Sequence, residues 1–292
     1  MRNTHKNTSI KQRLFIIAGS IVAVILLFIV FMPTIMHGLG IHPDYDGPTY
    51  KAEGRKALII TTSHGVLAPV GETEGKATGV FASEMTHPYY VFLEAGMEVD
   101  IASIEGGEIP VDPSSFAYPI ISDEDKRFQK DANFQAKVEN SIKVDDINFT
   151  EYDVVFLSGG WGAAYDLAQS DVLAQKITDA YYSEKETIIG SVCHGALGLV
   201  NAQDKDGNLL IAGRRMTGVT NRQLEALNID FTPKHPETEL KKAGVIFEFS
   251  TAFIDLFATH VTVDDEQRFV TGQNQNSGLE AAHKITELLS KQ

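Results

Sequence analysis

The sequence predicts an α/β domain, a parallel β-sheet covered by helices on both faces, preceded by one N-terminal apolar helix. Three observations predict it. Short β-branched runs alternate with segments of helical spacing, and glycines punctuate the joins. An uncharged apolar run occupies residues 14–31. The only cysteine, Cys193, stands where an apolar run breaks into Cys-His-Gly.

The amino terminus carries Arg2, Lys6, Lys11 and Arg13 ahead of that run. A run of about 18 uncharged residues is near the minimum for spanning a bilayer. A cleaved signal peptide would have a shorter apolar region and a small-x-small site, and residues 32–40 offer no convincing one. The expected organisation is a cytoplasmic basic tail at 1–13, a transmembrane signal anchor at 14–34, a linker at 35–55 and one catalytic domain at 56–292. The positive-inside rule places that domain outside the cytoplasm on a single-pass membrane protein.

The chain has 25 Lys+Arg against 39 Asp+Glu, a net charge of −14. The four basic residues named above leave 21 against 39 behind them, a net of −18. So acidic a body is a poor partner for nucleic acid or anionic lipid. One cysteine excludes an internal disulfide. Asn148-Phe-Thr150 fits a glycosylation acceptor, a motif common by chance.

After the linker, residues 56–61 read as a buried strand, followed by a Gly-rich loop over 65–79. Residues 81–95 have helical spacing and close at Gly96. Strands follow at 98–103, 154–158 and 187–192, with helices at 123–139 and 171–183. Residues 209–219 suggest a β excursion and 245–249 another strand. Segments 260–264 and 268–271 suggest a hairpin, and 277–290 a terminal helix. In such sheets ligands bind beyond the carboxyl ends of the strands. Cys193, Gly159-Gly160 and the loop after Thr61 all fall on that edge.

The run Thr187-Ile-Ile-Gly-Ser-Val-Cys193-His-Gly has the strand, sharp turn and helix pattern of a nucleophile elbow with Cys for Ser. The sulfur is expected near a helix N-terminus, which favours thiolate. A lone cysteine can also be core filler. Glu84, in the first turn of its helix, reads either as a dipole complement or as the thiol's partner. His64, His87, His235 and His260 are scattered without the close pairing of a metal site, so no metal is expected. By themselves these residues specify a cysteine hydrolase or lyase of unknown substrate.

The chain resembles the ThiJ/PfpI superfamily, whose fold is flavodoxin-like and related to class I glutamine amidotransferases, and within it the heat-shock-chaperone and glyoxalase III-like branch. Four segments carry the resemblance: Thr78-Gly-Val-Phe-Ala-Ser-Glu84 with His87-Pro-Tyr-Tyr, Leu157-Ser-Gly-Gly-Trp-Gly-Ala-Ala-Tyr-Asp-Leu167, Ser191-Val-Cys-His-Gly195, and Met216-Thr-Gly-Val-Thr220 with Val270-Thr-Gly-Gln-Asn274. It implies Cys193 as nucleophile, Glu84 sharing a proton with the thiol and holding it reactive, and His194 as partner base. The amides of Gly160 and His194 would bind the oxyanion. Two positions depart from the pattern: Trp161 replaces a histidine and becomes a cleft wall with His87, and Leu224 occupies the place of the orienting acid. Glu225 is then the candidate for that acid, with Asp230 an outside one.

The resemblance further implies a cofactor-free, glutathione-independent glyoxalase of the D-lactate dehydratase (hydro-lyase) type, acting on methylglyoxal and related 2-oxoaldehydes, and a homodimer. Rival readings use the same cysteine for deglycation or peptide hydrolysis of damaged proteins, or make the chain a holding chaperone or oxidative stress sensor. On the sequence alone, Glu84→Gln is expected to raise the thiol's pKa.

Overall fold

The computed structural model describes residues 10–292; Arg2 and Lys6 lie outside the described residues. A seven-stranded sheet forms the centre, built from β1 (Lys56–Thr61), β2 (Glu98–Ser103), β3 (Ile142–Lys143), β4 (Val154–Leu157), β5 (Ile188–Val192), β6 (Val261–Val263) and β7 (Phe269–Gly272). Their order is β6-β7-β5-β4-β1-β2-β3. Every pairing is parallel except β6 with β7, the hairpin at the edge.

Strand alternation decides which core each residue joins. Ala57, Ile59, Val154 and Phe156 point to one face, where they meet the helices Ala82–Glu94 and Gly278–Leu289. Leu58, Ile60, Val155 and Leu157 point to the other and pack on Leu173 and Ile177 of the helix Asp171–Tyr181. Both faces are thus buried, which explains the near-continuous apolar strands. The strand order reverses between β1 and β4, and the loops after β1, β4 and β5 meet at the carboxyl edge, where such sheets bind ligands.

Three expected elements differ. The helix expected over residues 123–139 is two, Asp123–Phe128 and Ala132–Glu139, because Asp131 accepts from the Phe134 amide and starts a new helix. The β excursion expected at 209–219 shrinks to Arg215–Met216, paired in parallel with Ile246–Phe247. The segment after Cys193 winds as tight 3₁₀ turns, Cys193–Leu199, instead of an α-helix.

An apolar helix, Ile10–Gly38, precedes the domain; it has no buried residue and is long and apolar enough to cross a membrane. Of residues 35–55, expected as a linker, 35–38 continue the apolar helix and the rest touch the domain at a few points. Ile41 is buried, the His42 amide donates to Asn276 Oδ1 at 2.9 Å, and the Tyr45 ring stacks on His283 at 4.0 Å.

Candidate active site

Strand β5 delivers its last residue, Val192, to the carboxyl edge, and the chain then turns sharply. Cys193 takes φ +57°, the left-handed region that a non-glycine residue rarely enters. That strained turn tips the side chain out of the sheet, as an elbow requires. Glycine makes the crossing possible: a Cβ on Gly195 would collide with the Leu157 carbonyl oxygen of the neighbouring strand.

Four groups converge on the sulfur. The Glu84 carboxyl hydrogen-bonds the thiol from the first turn of the helix Ala82–Glu94. Backbone amides of His194 and Gly160 hydrogen-bond the sulfur from the elbow and from the loop after β4. His194 Nδ1 stands 3.4 Å from Sγ. Glu84 is held from below, since Ser158 Oγ donates to its carbonyl at 2.8 Å. Gly159 is the hub of this packing: a Cβ there would come 2.5 Å from Glu84 Oε2 and 2.6 Å from the His194 amide nitrogen.

Burial sets the electrostatics. Glu84 is 2% exposed and Cys193 6%. Burial pushes the Glu84 carboxyl up to about 8, offset in part by hydrogen bonds from Cys193 and Gly159. Burial likewise pushes the Cys193 thiol well above its ordinary value, and the Glu84 charge and hydrogen bond push it further. The two amides pull it back only partly. Desolvation therefore outweighs the amide dipoles and works against the thiolate expected from the elbow. The expectation that Glu84→Gln raises the thiol's pKa is corrected too, because Glu84 acts in the opposite direction. The expectation that Glu84 itself is partly protonated agrees with its raised value.

His194 is fully enclosed. Burial, with nearby His235 adding to it, lowers its pKa to about 3, so the ring is neutral. Its Nε2 has no hydrogen-bond partner. No carboxylate is among the groups that act on it. Glu225 is exposed on the helix Asn221–Ala226, and Asp230 is exposed beyond it. Trp161 does reach the site, its ring 5.0 Å from that of His194. His87 turns elsewhere: it is buried, with Nε2 3.3 Å from Glu124 Oε2 and its ring edge-on to His42. It lines a cavity of about 400 Å³ with His42 and Glu124.

Sequence reasoning missed two contributors. His235 reads as an isolated histidine, and nothing in its spacing links it to His194. Asp166, within the quoted Gly-Gly-Trp-Gly-Ala-Ala-Tyr-Asp stretch, accepts from Thr62 Oγ1 at 2.8 Å and the Ser63 amide at 2.7 Å. It fastens the loop after β1 to the segment that carries Gly160, and burial raises its pKa to about 6. The stretch was legible as a motif; its last acid was not legible as a clamp.

The DJ-1/PfpI family model matches residues 76–288, most of the domain just described. The chain belongs to the DJ-1/PfpI family. Within that family it falls in the glyoxalase III-like branch that its motifs resemble. Glyoxalase 3 of Candida albicans is 31% identical over 242 residues, which cover 79% of this chain and 96% of that protein. The glutathione-independent glyoxalase hsp3102 of Schizosaccharomyces pombe is 28% identical over 251 residues, covering 82% and 99%. Among solved structures, the rapid encystment protein REP24 of Francisella tularensis matches with TM-score 0.72 and 31% identity over 80% of this chain and 99% of that one. Glyoxalase III of Candida albicans matches with TM-score 0.66 and 26% identity over 80% and 96%. The DJ-1/PfpI fold accounts for the mostly parallel sheet between helices.

Proposed function

We propose that the chain is a glutathione-independent glyoxalase that converts methylglyoxal and related 2-oxoaldehydes to 2-hydroxy acids through Cys193. The observation that carries this reading is the buried contact between Glu84 and the sole cysteine. A carboxyl with a pKa of about 8 is matched to moving protons near neutral pH. His194, at about 3, is a far weaker base and acts as a neutral hydrogen-bonding group beside the sulfur.

The chemistry balances within one pocket. In the fraction of molecules with Glu84 ionised, the thiol adds across the aldehyde, forming a C–S bond while its proton passes by way of the Glu84 carboxylate to the aldehyde oxygen; the product is a hemithioacetal and Glu84 is again a carboxylate. The carboxylate of Glu84 then takes the C–H proton from that carbon. The electron pair shifts to give an enediolate, the hydroxyl proton of the attacked carbon passes to the former ketone oxygen, and Glu84 returns the carbon-bound proton to the former ketone carbon. A thioester of a 2-hydroxy acid remains, and water cleaves it to the acid and the free thiol. The amides of Gly160 and His194 already touch the sulfur, so an oxygen on the carbon bonded to it comes within their reach. Trp161 closes one wall, which suits a small substrate.

Intact-mass analysis of the full chain quenched and reduced during turnover tests this route. One substrate unit on the peptide containing Cys193 is expected, and its absence during active turnover would refute the covalent step.

We also propose that the helix Ile10–Gly38 anchors the enzyme in a membrane with the domain outside the cytoplasm. Its apolar length and the basic residues Lys11 and Arg13 at its start support this. Protease access to a tag fused after Gln292 on intact cells tests the orientation.

A further inference from the structure

Hydrogen bonds and close packing join the domain to the end of the apolar helix, and Tyr118, Phe253 and Ile254 stand exposed on the domain around that join. Asn276 Oδ1 accepts the amide of His42, four residues past the helix, at 2.9 Å. Asn276 Nδ2 donates to the Leu256 carbonyl at 3.3 Å, and Asn274 Nδ2 to the Ala258 carbonyl at 2.6 Å. Gly40 packs so closely that a Cβ there would lie 3.1 Å from the Phe257 oxygen. The loop from Ser250 to Ala258 is thus pinned beside the helix exit. Gln273 clasps its start, accepting from the Ser250 amide at 2.8 Å and donating back to its carbonyl at 3.1 Å. Gln223 Nε2 holds the Asp255 carbonyl at 2.8 Å. Yet at its tip Phe253 is fully exposed, and Ile254 is exposed beside it. A loop held so firmly presents that phenylalanine; it does not merely fail to bury it.

A second, independent contact sets the level. Tyr118, itself exposed, donates its hydroxyl hydrogen bond to the carbonyl of Ile29 inside the apolar run. Ile29 is nine residues before Gly38, which at ~1.5 Å per residue places it roughly 13 Å back along the helix axis. A tyrosine fixed there stands where aromatic side chains gather at membrane–water interfaces.

We infer that the domain face around the helix exit, with Tyr118, Phe253 and Ile254, seats in the interface of the bilayer that holds the apolar helix. The inference rests on the anchor reading above. The occupant is a zwitterionic lipid surface: Tyr118, Phe253 and Ile254 are uncharged, and a chain of net charge −14 is repelled by anionic headgroups. Strand β7 runs parallel to β5 with Gly272 level with Val192, so Gln273, Asn274 and Asn276 leave the sheet at the same edge as Cys193. The seat therefore holds the catalytic edge of the sheet toward the membrane surface.

The test places the full chain in phosphatidylcholine vesicles with either plain or brominated acyl chains. Phe253→Trp adds one fluorophore to Trp161, and Tyr118→Trp provides a second reporter should the first disturb the loop. In each variant the emission added over the parent protein is expected to fall at least twofold with brominated lipid. Retention of the full chain after alkaline carbonate, with added emission indifferent to bromine in both variants, would overturn the seat and leave the anchor standing. Release by carbonate would overturn both.

Discussion

The Glu84 carboxyl hydrogen-bonds the Cys193 thiol with both side chains almost wholly shut off from solvent. Burial raises the proton affinity of both, Glu84 raises that of Cys193 further, and the hydrogen bond from Cys193 offsets part of the rise in Glu84. Near neutral pH the carboxyl is mostly protonated, and the ionised fraction that can act as base grows through about 8.

Glu84 should therefore cost the protein stability. Its folded pKa is raised from 4.5 to about 8, so between those values the folded state binds a proton that the unfolded state has lost. That contribution to stability falls as pH rises through the window, by about 1.4 kcal/mol for each pH step of one, several kcal/mol in all. Glu84→Gln is expected to raise the melting temperature by several degrees at pH 8 and by little at pH 4. The same variant should lower the thiol's pKa, quicken alkylation of Cys193 and reduce kcat at least ~100-fold. Thermal melts at two pH values, alkylation rates and initial rates check these outcomes.

The pH dependence of the reaction separates Glu84 from His194. With Glu84 as the base, kcat/KM should rise with pH through about 8. His194, whose pKa is lowered to about 3, stays neutral throughout and adds no inflection near 6.5. A step near 6.5 that disappears in His194→Gln would reverse the roles.

Gly159→Ala tests the packing that brings the carboxyl to the sulfur. The added methyl would lie 2.5 Å from Glu84 Oε2 and 2.6 Å from the His194 nitrogen, so one of them must move. Overpacking of this kind costs about 1–3 kcal/mol. Turnover should drop at least tenfold while the chain stays folded, checked by initial rates and circular dichroism.

Glu225→Gln should leave kcat/KM within about twofold, because the side chain is exposed and no carboxylate acts on His194. A loss beyond tenfold would restore Glu225 as the acid that steers the histidine.

Much of this was legible in the amino-acid sequence. The strands β1 and β2 fall at their expected limits because buried parallel strands write their burial directly as apolar runs ended by turns. The elbow was legible from Gly190 and the abrupt Cys-His-Gly break. The state of the sulfur was not. Sequence shows the turn that aims amides at Cys193, but not how deeply Glu84 and Cys193 sink, and desolvation decides their protons. Nor could spacing show that His87, three residues after Glu84, turns to Glu124, or that His235 approaches His194 across about forty residues of chain. The split of residues 123–139 came from Asp131, whose side chain competes for a backbone amide.

The most direct measurement is the initial rate of lactate formation from methylglyoxal by the full chain beside its Cys193→Ala variant, without glutathione. Lactate from the parent and none above background from a folded variant is the predicted result. Equal rates from both would contradict the sulfur as nucleophile.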